Sequence, residues 1–196
     1  MKQKIEKILR YYKKKKITGE DLKPSAVLMP LFYDKGSFHV LFTKRSNDVD
    51  FHKGQVCFPG GGPEPYDSSL LQTALREAEE EIGLSAKDVE ILGELDDNRT
   101  LTSGYVISPF VAFIPYPYPF KLDCKEVEQI FSIPLSALMA PDDRKGLNFR
   151  EGYPSEDKSG PGYAYEYEEH IIWGVTARIL KQFTELLKSE KGEVEA

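Results

Sequence analysis

An amphipathic helix that ends at a glycine constrains this chain more than any other feature of its sequence. Over residues 69–82, apolar side chains recur at the three- and four-residue spacing of a single helical face. That stripe is formed by Leu71, Ala74, Leu75, Ala78 and Ile82. Asp67, Ser68 or Ser69 can cap the helix N-terminus, and Gly83 stands where a helix C-terminus favours glycine. A helix with one apolar face must pack against another layer, so it defines one layer of the fold.

The segments on both sides of this helix show the alternation of strands or the periodicity of helices. Two more amphipathic helices are predicted over 2–16 and 175–187. The lysines at 13–16 are interpreted as a solvated helix end, with a patch for an anionic ligand as the alternative. Strands are predicted over 26–33 and 39–43 as a hairpin, and over 55–58, 89–95, 106–114, 130–138 (leading into a turn of helix) and 163–167. Residues 141–162 indicate a long surface loop, and the whole predicts an α/β or α+β sandwich.

Length and composition indicate a single domain and exclude several classes of function. We expect residues 23–190 to form that domain, preceded by the helical segment 1–22 and followed by a tail, 191–196. The net charge of −6 disfavours nucleic acid as a partner, and no apolar stretch approaches the ~20 residues that a membrane span needs. The N-terminus lacks the apolar core of a signal peptide, and Cys57 and Cys124 lack metal-ligand spacing. A cytoplasmic protein with reduced thiols is therefore expected.

Three glutamates on the constraining helix form the candidate site for chemistry. At about 100° per residue, Glu77 lies within roughly 40° of Glu81 and 60° of Glu80, whereas Glu79 points away. Like charges at this spacing repel, but a hard divalent cation such as Mg²⁺ or Mn²⁺ would convert the repulsion into binding. A solvated acidic helix face is the simplest alternative. The glycine-rich turn at 60–62, which allows close approach of a ligand, favours the metal site.

The stretch from Gly62 to Leu84 resembles the Nudix box, a glycine and spacer followed by Arg-Glu-x-x-Glu-Glu-x-Gly. Its defining positions are matched by Arg76, Glu77, Glu80, Glu81 and Gly83. One position departs, because the family commonly has glutamate where this chain has Ser68, and Asp67 or Glu64 is a candidate replacement. The resemblance implies an enzyme that hydrolyses nucleoside diphosphates linked to another group. It also implies an α/β/α sandwich with a mixed β-sheet, in which the box forms a loop–helix–loop.

A second resemblance is to the coenzyme A pyrophosphatases within that family. It is carried by the segments 42–46, 52–61, 73–78, 93–95, 102–105, 108–110 and 173–177, so it spans about residues 25–187. Asp50 departs from it, since many members carry arginine there. The resemblance implies cleavage of coenzyme A or its acyl esters to 3′,5′-ADP and the corresponding 4′-phosphopantetheine.

The chemistry of diphosphate cleavage suggests a role for each candidate in the helix and the turn. Glu77, Glu80 and Glu81, with the Gly61 carbonyl, are the candidate ligands for Mg²⁺ or Mn²⁺, which would neutralise the diphosphate and activate water. Glu80 is also the first candidate for the catalytic base. Arg76, the third residue assigned to catalysis with Glu77 and Glu80, is predicted to orient the carboxylates through a salt bridge.

Four residues upstream of the helix are the candidates for substrate binding. Arg45 is a candidate phosphate clamp, because a guanidinium matches phosphate oxygens with two parallel bonds; a surface arginine is the alternative. His52, Gln55 and Phe58 complete the set, and a structural loop role is equally compatible with His52.

Other functions stay open at this stage. The substrate could be ADP-ribose, NADH or a nucleoside triphosphate, and a non-catalytic nucleotide-binding module is a further alternative. All three box glutamates are present, which argues against a module that has lost catalysis. The sequence does not determine the oligomeric state, so a homodimer is one of the options.

Overall fold

The computed structural model describes residues 1–19, 21–48, 53–100, 104–140, 147–151 and 162–189. Its helices are α1 (Lys2–Tyr11), α2 (Leu70–Ile82), α3 (Leu135–Met139) and α4 (Gly174–Ser189), with a 3₁₀ turn at Ala86–Asp88. The strands are β1 (Lys23–Asp34), β2 (Ser37–Arg45), β3 (Val56–Cys57), β4 (Gly60–Gly61), β5 (Glu90–Glu94), β6 (Asn98–Arg99), β7 (Tyr105–Phe113), β8 (Val127–Pro134), β9 (Leu147–Glu151), β10 (Tyr163–Tyr167) and β11 (His170–Trp173).

The main sheet is mixed and is centred on β1. Its strand order is β3-β2-β1-β7-β5; in addition, β4 pairs with β1, β6 with β7 and β8 with β2. β1 and β7 run parallel, whereas β1 and β2 form the antiparallel hairpin that the sequence predicts. The hairpin turn has positive φ at Lys35 (46°) and Gly36 (85°), the geometry that matches the right-handed twist of paired strands. A smaller sheet, β11-β10-β9, lies beside it.

The alternation of side chains along β1 creates a core on each face of the main sheet. Ala26, Leu28 and Phe32 pack towards α2, whereas Met29 and Leu31 pack towards α1 and α4. All five are almost completely buried. Helices on both faces of a mixed sheet confirm the predicted α/β fold class. None of the helices in the described ranges has the length and apolar content needed to cross a membrane.

The N-terminal helix is shorter than predicted, ending at Tyr11 instead of residue 16. The chain beyond it is bound along an acidic edge, where the backbone N–H of Lys15 donates to Asp96 at 2.7 Å. Lys14 is only 13% exposed and pairs with Glu94 at 2.9 Å and with Asp97 at 2.8 Å. The basic run is therefore not a helix end, since Lys14 pairs with acids distant in sequence, but Lys13, Lys15 and Lys16 are exposed to solvent as predicted.

Part of the predicted loop over 141–162 is also wrong, since Leu147–Glu151 forms strand β9 and pairs with β10. The sequence prediction also missed β11, which completes the smaller sheet. Both strands are short and depend on β10, so their stability comes from pairing more than from local pattern. The predicted strand 163–167 and the final helix are confirmed.

The helix α1 is part of the main core. A β-carbon on Gly93 would lie 2.5 Å from Cβ of Leu9, so the glycine allows α1 to approach β5 closely. The predicted boundary between residues 22 and 23 stays a prediction, and the predicted tail 191–196 lies outside the described residues.

Candidate active site

The helix α2 begins and ends as its sequence predicts, and this positions the box residues. Ser69 is the N-cap and accepts a hydrogen bond from the backbone N–H of Gln72 at 3.2 Å. Gly83 adopts the left-handed conformation at φ 69°, and its N–H donates to the Glu79 carbonyl at 2.9 Å. The charged positions of the box are thereby held against the glycine turn.

The two glycines of β4 bring backbone directly against β1 and α2. A β-carbon on Gly60 would lie 2.2 Å from the Ala26 carbonyl oxygen, and one on Gly61 would lie 2.5 Å from the Glu77 carboxylate. The Gly61 carbonyl accepts a hydrogen bond from the Ser25 hydroxyl at 2.8 Å. At Gly60 a side chain would meet the backbone of β1, whereas at Gly61 it would meet only the end of the Glu77 side chain on the acidic helix face.

Glu81 is the most deeply buried of the three box glutamates, with a side chain only 3% exposed. Burial raises the pKa of Glu81 to about 8, against the opposing effects of the Arg45 guanidinium and the backbone N–H of Gly60. The nearest Glu81–Arg45 distance is 3.9 Å, from Oε1 to an Nη atom, which is too long for a hydrogen bond. The other carboxylate oxygen, Oε2, has no partner among the described residues. Arg45 therefore faces this carboxylate as a cation but does not hydrogen-bond to it.

Glu77 and Glu80 differ in exposure although one helix turn carries both. The Glu77 side chain is 16% exposed, and burial raises its pKa despite the nearby Arg76. The Glu80 side chain is 57% exposed and pairs with Arg76 at 2.8 Å. Helical spacing puts the three carboxylates on one face, but within the described ranges no three acidic, histidine or cysteine side chains lie close enough together to hold a metal ion.

Arg76 holds this part of the site together. Its guanidinium contacts Glu77 at 2.9 Å and the carbonyl of Gly62 at 2.9 Å, in addition to Glu80. It also pairs at 3.1 Å with Asp67, whose side chain is only 1% exposed. The hydrogen bonds from Arg76 lower the pKa of Asp67, so that carboxylate stays ionised.

The same contacts explain the departure of the box at Ser68. The Ser68 hydroxyl donates to the Gln72 side chain at 2.6 Å and so takes part in the start of the helix. Asp67 also accepts from the Thr73 hydroxyl at 3.0 Å and from the backbone N–H of Glu64 at 2.9 Å. Asp67 is therefore bound to Arg76 and the helix N-terminus, and Glu64 lies in the same loop as a backbone donor. Neither acid joins the Glu77 and Glu81 carboxylates.

The substrate-binding candidates separate into different environments. Arg45 ends β2 and faces Glu81, and its backbone N–H donates to the Gln55 carbonyl at 2.9 Å. Phe58 is 2% exposed and stacks on Phe42 with ring centroids 5.2 Å apart. The buried ring belongs to the core, which corrects its assignment to substrate binding. His52 lies outside the described residues, as does Asp50.

One acid of the site escaped the sequence reasoning. Glu126 precedes β8, and its charge contributes to raising the pKa of both Glu77 and Glu81. Its backbone carbonyl accepts from the N–H of Ser46 at 2.8 Å, which ties this loop to the end of β2. No periodicity or motif distinguishes Glu126, because tertiary contacts bring it to α2: β8 pairs with β2, and in the preceding loop the N–H of Asp123 donates to the Glu81 carbonyl at 3.0 Å.

Comparison with known proteins places this arrangement in a family. A model described as the NUDIX domain matches residues 22–150. A relative in Photorhabdus laumondii, described as the uncharacterized Nudix hydrolase NudL, is 36% identical over 162 residues, which cover 82% of this chain and 83% of the relative. A relative of the same description in Yersinia pestis is 37% identical, covering 82% of this chain and 78% of its own.

Solved structures support the fold. The crystal structure of a MutT/nudix family protein from Enterococcus faecalis aligns with 88% of this chain and 64% of its own, at a TM-score of 0.56 and 17% identity. The family model covers more than half of the chain, and both relatives exceed 30% identity over most of it. The chain therefore belongs to the Nudix family of hydrolases, which act on nucleoside diphosphate derivatives.

Proposed function

We propose that the chain is a Mg²⁺- or Mn²⁺-dependent diphosphatase that hydrolyses coenzyme A or its acyl esters. The products would be 3′,5′-ADP and the corresponding 4′-phosphopantetheine. The observation that supports a metal-dependent site best is the buried Glu81 carboxylate, which has an unpartnered oxygen close to the charge of Glu77. Burial without a hydrogen-bonded partner disfavours the ionised form of this carboxylate, and a bound cation would stabilise that form.

The donor atoms present fit a hard divalent cation. Carboxylate and carbonyl oxygens are the ligands that Mg²⁺ and Mn²⁺ prefer; the Glu77 carboxylate lies against Gly61, and Glu81 interacts with Glu77 and with the backbone of Gly60. Glu80 joins them if its side chain leaves Arg76, and its 57% exposure leaves it room to do so. When bound, the ion would neutralise diphosphate charge and increase the acidity of water.

The chain's own groups supply positioning and proton transfer. Arg76 orients Glu77 and Glu80 through its two ion pairs. Glu80 accepts the proton of the water molecule whose oxygen attacks one phosphorus of the diphosphate. The new phosphorus–oxygen bond forms as the bond from that phosphorus to the bridging oxygen breaks, and the other phosphate leaves. Arg45 supplies a guanidinium for the phosphate oxygens.

The choice of coenzyme A rests on the sequence segments that resemble coenzyme A pyrophosphatases. Several of them lie at the described site, including the end of β2, the turn at Gly60–Gly61 and the first half of α2. Asp50, the position that departs from the resemblance, lies outside the described residues. Family membership supports cleavage of a nucleoside diphosphate derivative, whereas the choice of coenzyme A rests on these segments alone.

A turnover assay over a panel of substrates tests the proposal. Coenzyme A, an acyl-coenzyme A, ADP-ribose, NADH and nucleoside triphosphates are each incubated with Mg²⁺ or Mn²⁺, and products are identified by mass. We expect coenzyme A or its ester to have the highest kcat/KM, with loss of activity in chelator. Preference for ADP-ribose, NADH or a triphosphate would refute the substrate and keep the reaction class. Nucleotide binding without turnover would indicate a binding module.

A Glu80→Gln variant tests the assignment of the base. Glu80 is 57% exposed, and Arg76 keeps its ion pairs with Asp67 and Glu77, so the loss of this pair should cost about 0.5 kcal/mol of stability or less. We expect kcat to fall by about 100-fold or more, within the range for lost acid–base catalysis. A variant with nearly full kcat, or one that is unfolded, would contradict the assignment.

A further inference from the structure

We propose that Arg45 is a resident counter-ion of Glu81, which the divalent cation displaces, and which then turns to the phosphates of the substrate. The inference rests on the proposed function and adds an exchange of cations at Glu81. It gives Arg45 a positioning role with two states, one without metal and one with metal and substrate.

The side chains of Arg45 and Glu81 lie close enough to attract each other but are not hydrogen-bonded. Glu81 is 3% exposed and Arg45 is 26% exposed, and their closest atoms are 3.9 Å apart. Nε of Arg45 and Oε2 of Glu81 are both buried without a hydrogen-bond partner. A guanidinium usually meets a carboxylate through two short, parallel hydrogen bonds. Arg45 therefore faces the carboxylate without donating a hydrogen bond to it, so no hydrogen bond between them is lost when they separate.

The alternation of side chains along β2 directs Arg45 towards the site, on the same face as Leu41, which packs with α2. Lys44 pairs in register with Gln129, but Arg45 pairs with Val127, so the register shifts between them. The extra residue of this bulge, Glu128, belongs to β8, and bulges are frequent next to active sites. Lys44 takes the opposite direction and pairs with the surface residue Glu128 at 2.8 Å. The neighbouring residues Lys44 and Arg45 therefore face different acids, the exposed Glu128 and the buried Glu81.

The other arginine of the site is already occupied. Arg76 contacts Asp67, Glu77, Glu80 and the carbonyl of Gly62. Within the described residues, the cation that faces Glu81 is Arg45. A divalent ion at Glu81 would repel that guanidinium, because both are positive and share a poorly solvated site. The partly exposed Arg45 can move away, and its planar donors then match phosphate oxygens.

Binding of Mn²⁺ in the absence of substrate tests the exchange, measured by electron paramagnetic resonance of the free ion at one pH. Arg45→Gln removes the competing charge, so we expect its Kd for Mn²⁺ to be at least fivefold lower than that of the unchanged protein. Lys44→Gln is the matched control, since it removes the adjacent surface charge, and its Kd should stay within twofold. An Arg45→Gln variant with an equal or higher Kd would overturn the inference.

A second variant separates charge from geometry. Arg45→Lys keeps the positive charge but lacks the planar pair of donors, so its Kd for Mn²⁺ should stay within twofold while KM for the best substrate rises fivefold or more. If Arg45→Gln does not fold, this variant decides, and an unchanged KM would overturn the inference. Absence of Mn²⁺ binding to the unchanged protein would refute the proposed function itself. Normal binding that is insensitive to Arg45→Gln would refute the exchange alone.

Discussion

Replacing Glu81 with glutamine should stabilise the metal-free protein and abolish its activity. Burial raises the pKa of Glu81 from its ordinary 4.5 to about 8. Because the folded state binds this proton more tightly than the unfolded state, protonation of Glu81 stabilises the fold. That contribution is complete below pH 4.5 and is lost as the pH rises towards 8. At pH 7 the unfolded chain has released a proton that the folded chain mostly keeps. That difference destabilises the fold by about 3 kcal/mol, at about 1.4 kcal/mol per pH unit.

Glutamine at position 81 does not titrate, so it avoids this loss. Its amide would lack some hydrogen bonds in the same buried place, which costs about 1–2 kcal/mol. The net gain at pH 7 is therefore about 1–2 kcal/mol, or roughly 2–6 °C in Tm for a chain of this size. The charged neighbours Arg45, Glu77 and Glu126 are present in both proteins, so the comparison largely cancels their own effects.

Thermal unfolding in chelator, followed by circular dichroism from pH 4.5 to pH 8.5, measures the effect. The Tm of Glu81→Gln minus that of the unchanged protein should rise with pH and be smallest at pH 4.5. Mg²⁺ should raise the Tm of the unchanged protein more than that of the variant, because only the former keeps the ligand. A difference that does not change with pH, or a variant that is less stable at pH 8, would refute the reasoning. Turnover should fall by about 100-fold or more, as for loss of a metal ligand or catalytic group.

Three further substitutions test the turn and the helix start. Gly60→Ala puts a β-carbon 2.2 Å from a backbone carbonyl of β1 and should lower Tm markedly, whereas Gly61→Ala meets only the flexible end of Glu77. Gly61→Ala should therefore keep a Tm close to normal and lose Mn²⁺ affinity and kcat; equal loss of Tm in both variants would contradict this. Asp67→Asn weakens the main anchor of Arg76 and should lower kcat by about tenfold or more, as for other outer-shell partners. An unchanged kcat would show that Arg76 is oriented without it.

Local features of the sequence predicted the framework of the site well. The N-cap Ser69 and the left-handed Gly83 are recognisable because capping depends on residues only a few positions apart. The turn at Lys35 and Gly36 is local for the same reason. The helix α2 thus presents the box glutamates on one face, as 3.6 residues per turn requires.

Contacts between distant segments decided how those glutamates differ. The periodicity treats Glu80 and Glu81 alike, but the sheet covers Glu81 to 3% exposure and leaves Glu80 57% exposed. The position of Glu126 depends on the pairing of β8 with β2, and the burial of Phe58 depends on the stacking of distant rings. The same holds for the strand β9, whose partner β10 lies beyond a segment that looks like a loop.

The sequence by itself determined that three carboxylates would occupy one helical surface after a glycine turn. Only the tertiary structure decided that Glu81 would be enclosed opposite Arg45 while Arg76 would be held by Asp67. The physical reason is one of range. Helix geometry and capping act within a few residues of the chain, whereas desolvation and charge pairing depend on segments that meet only when the sheet is assembled.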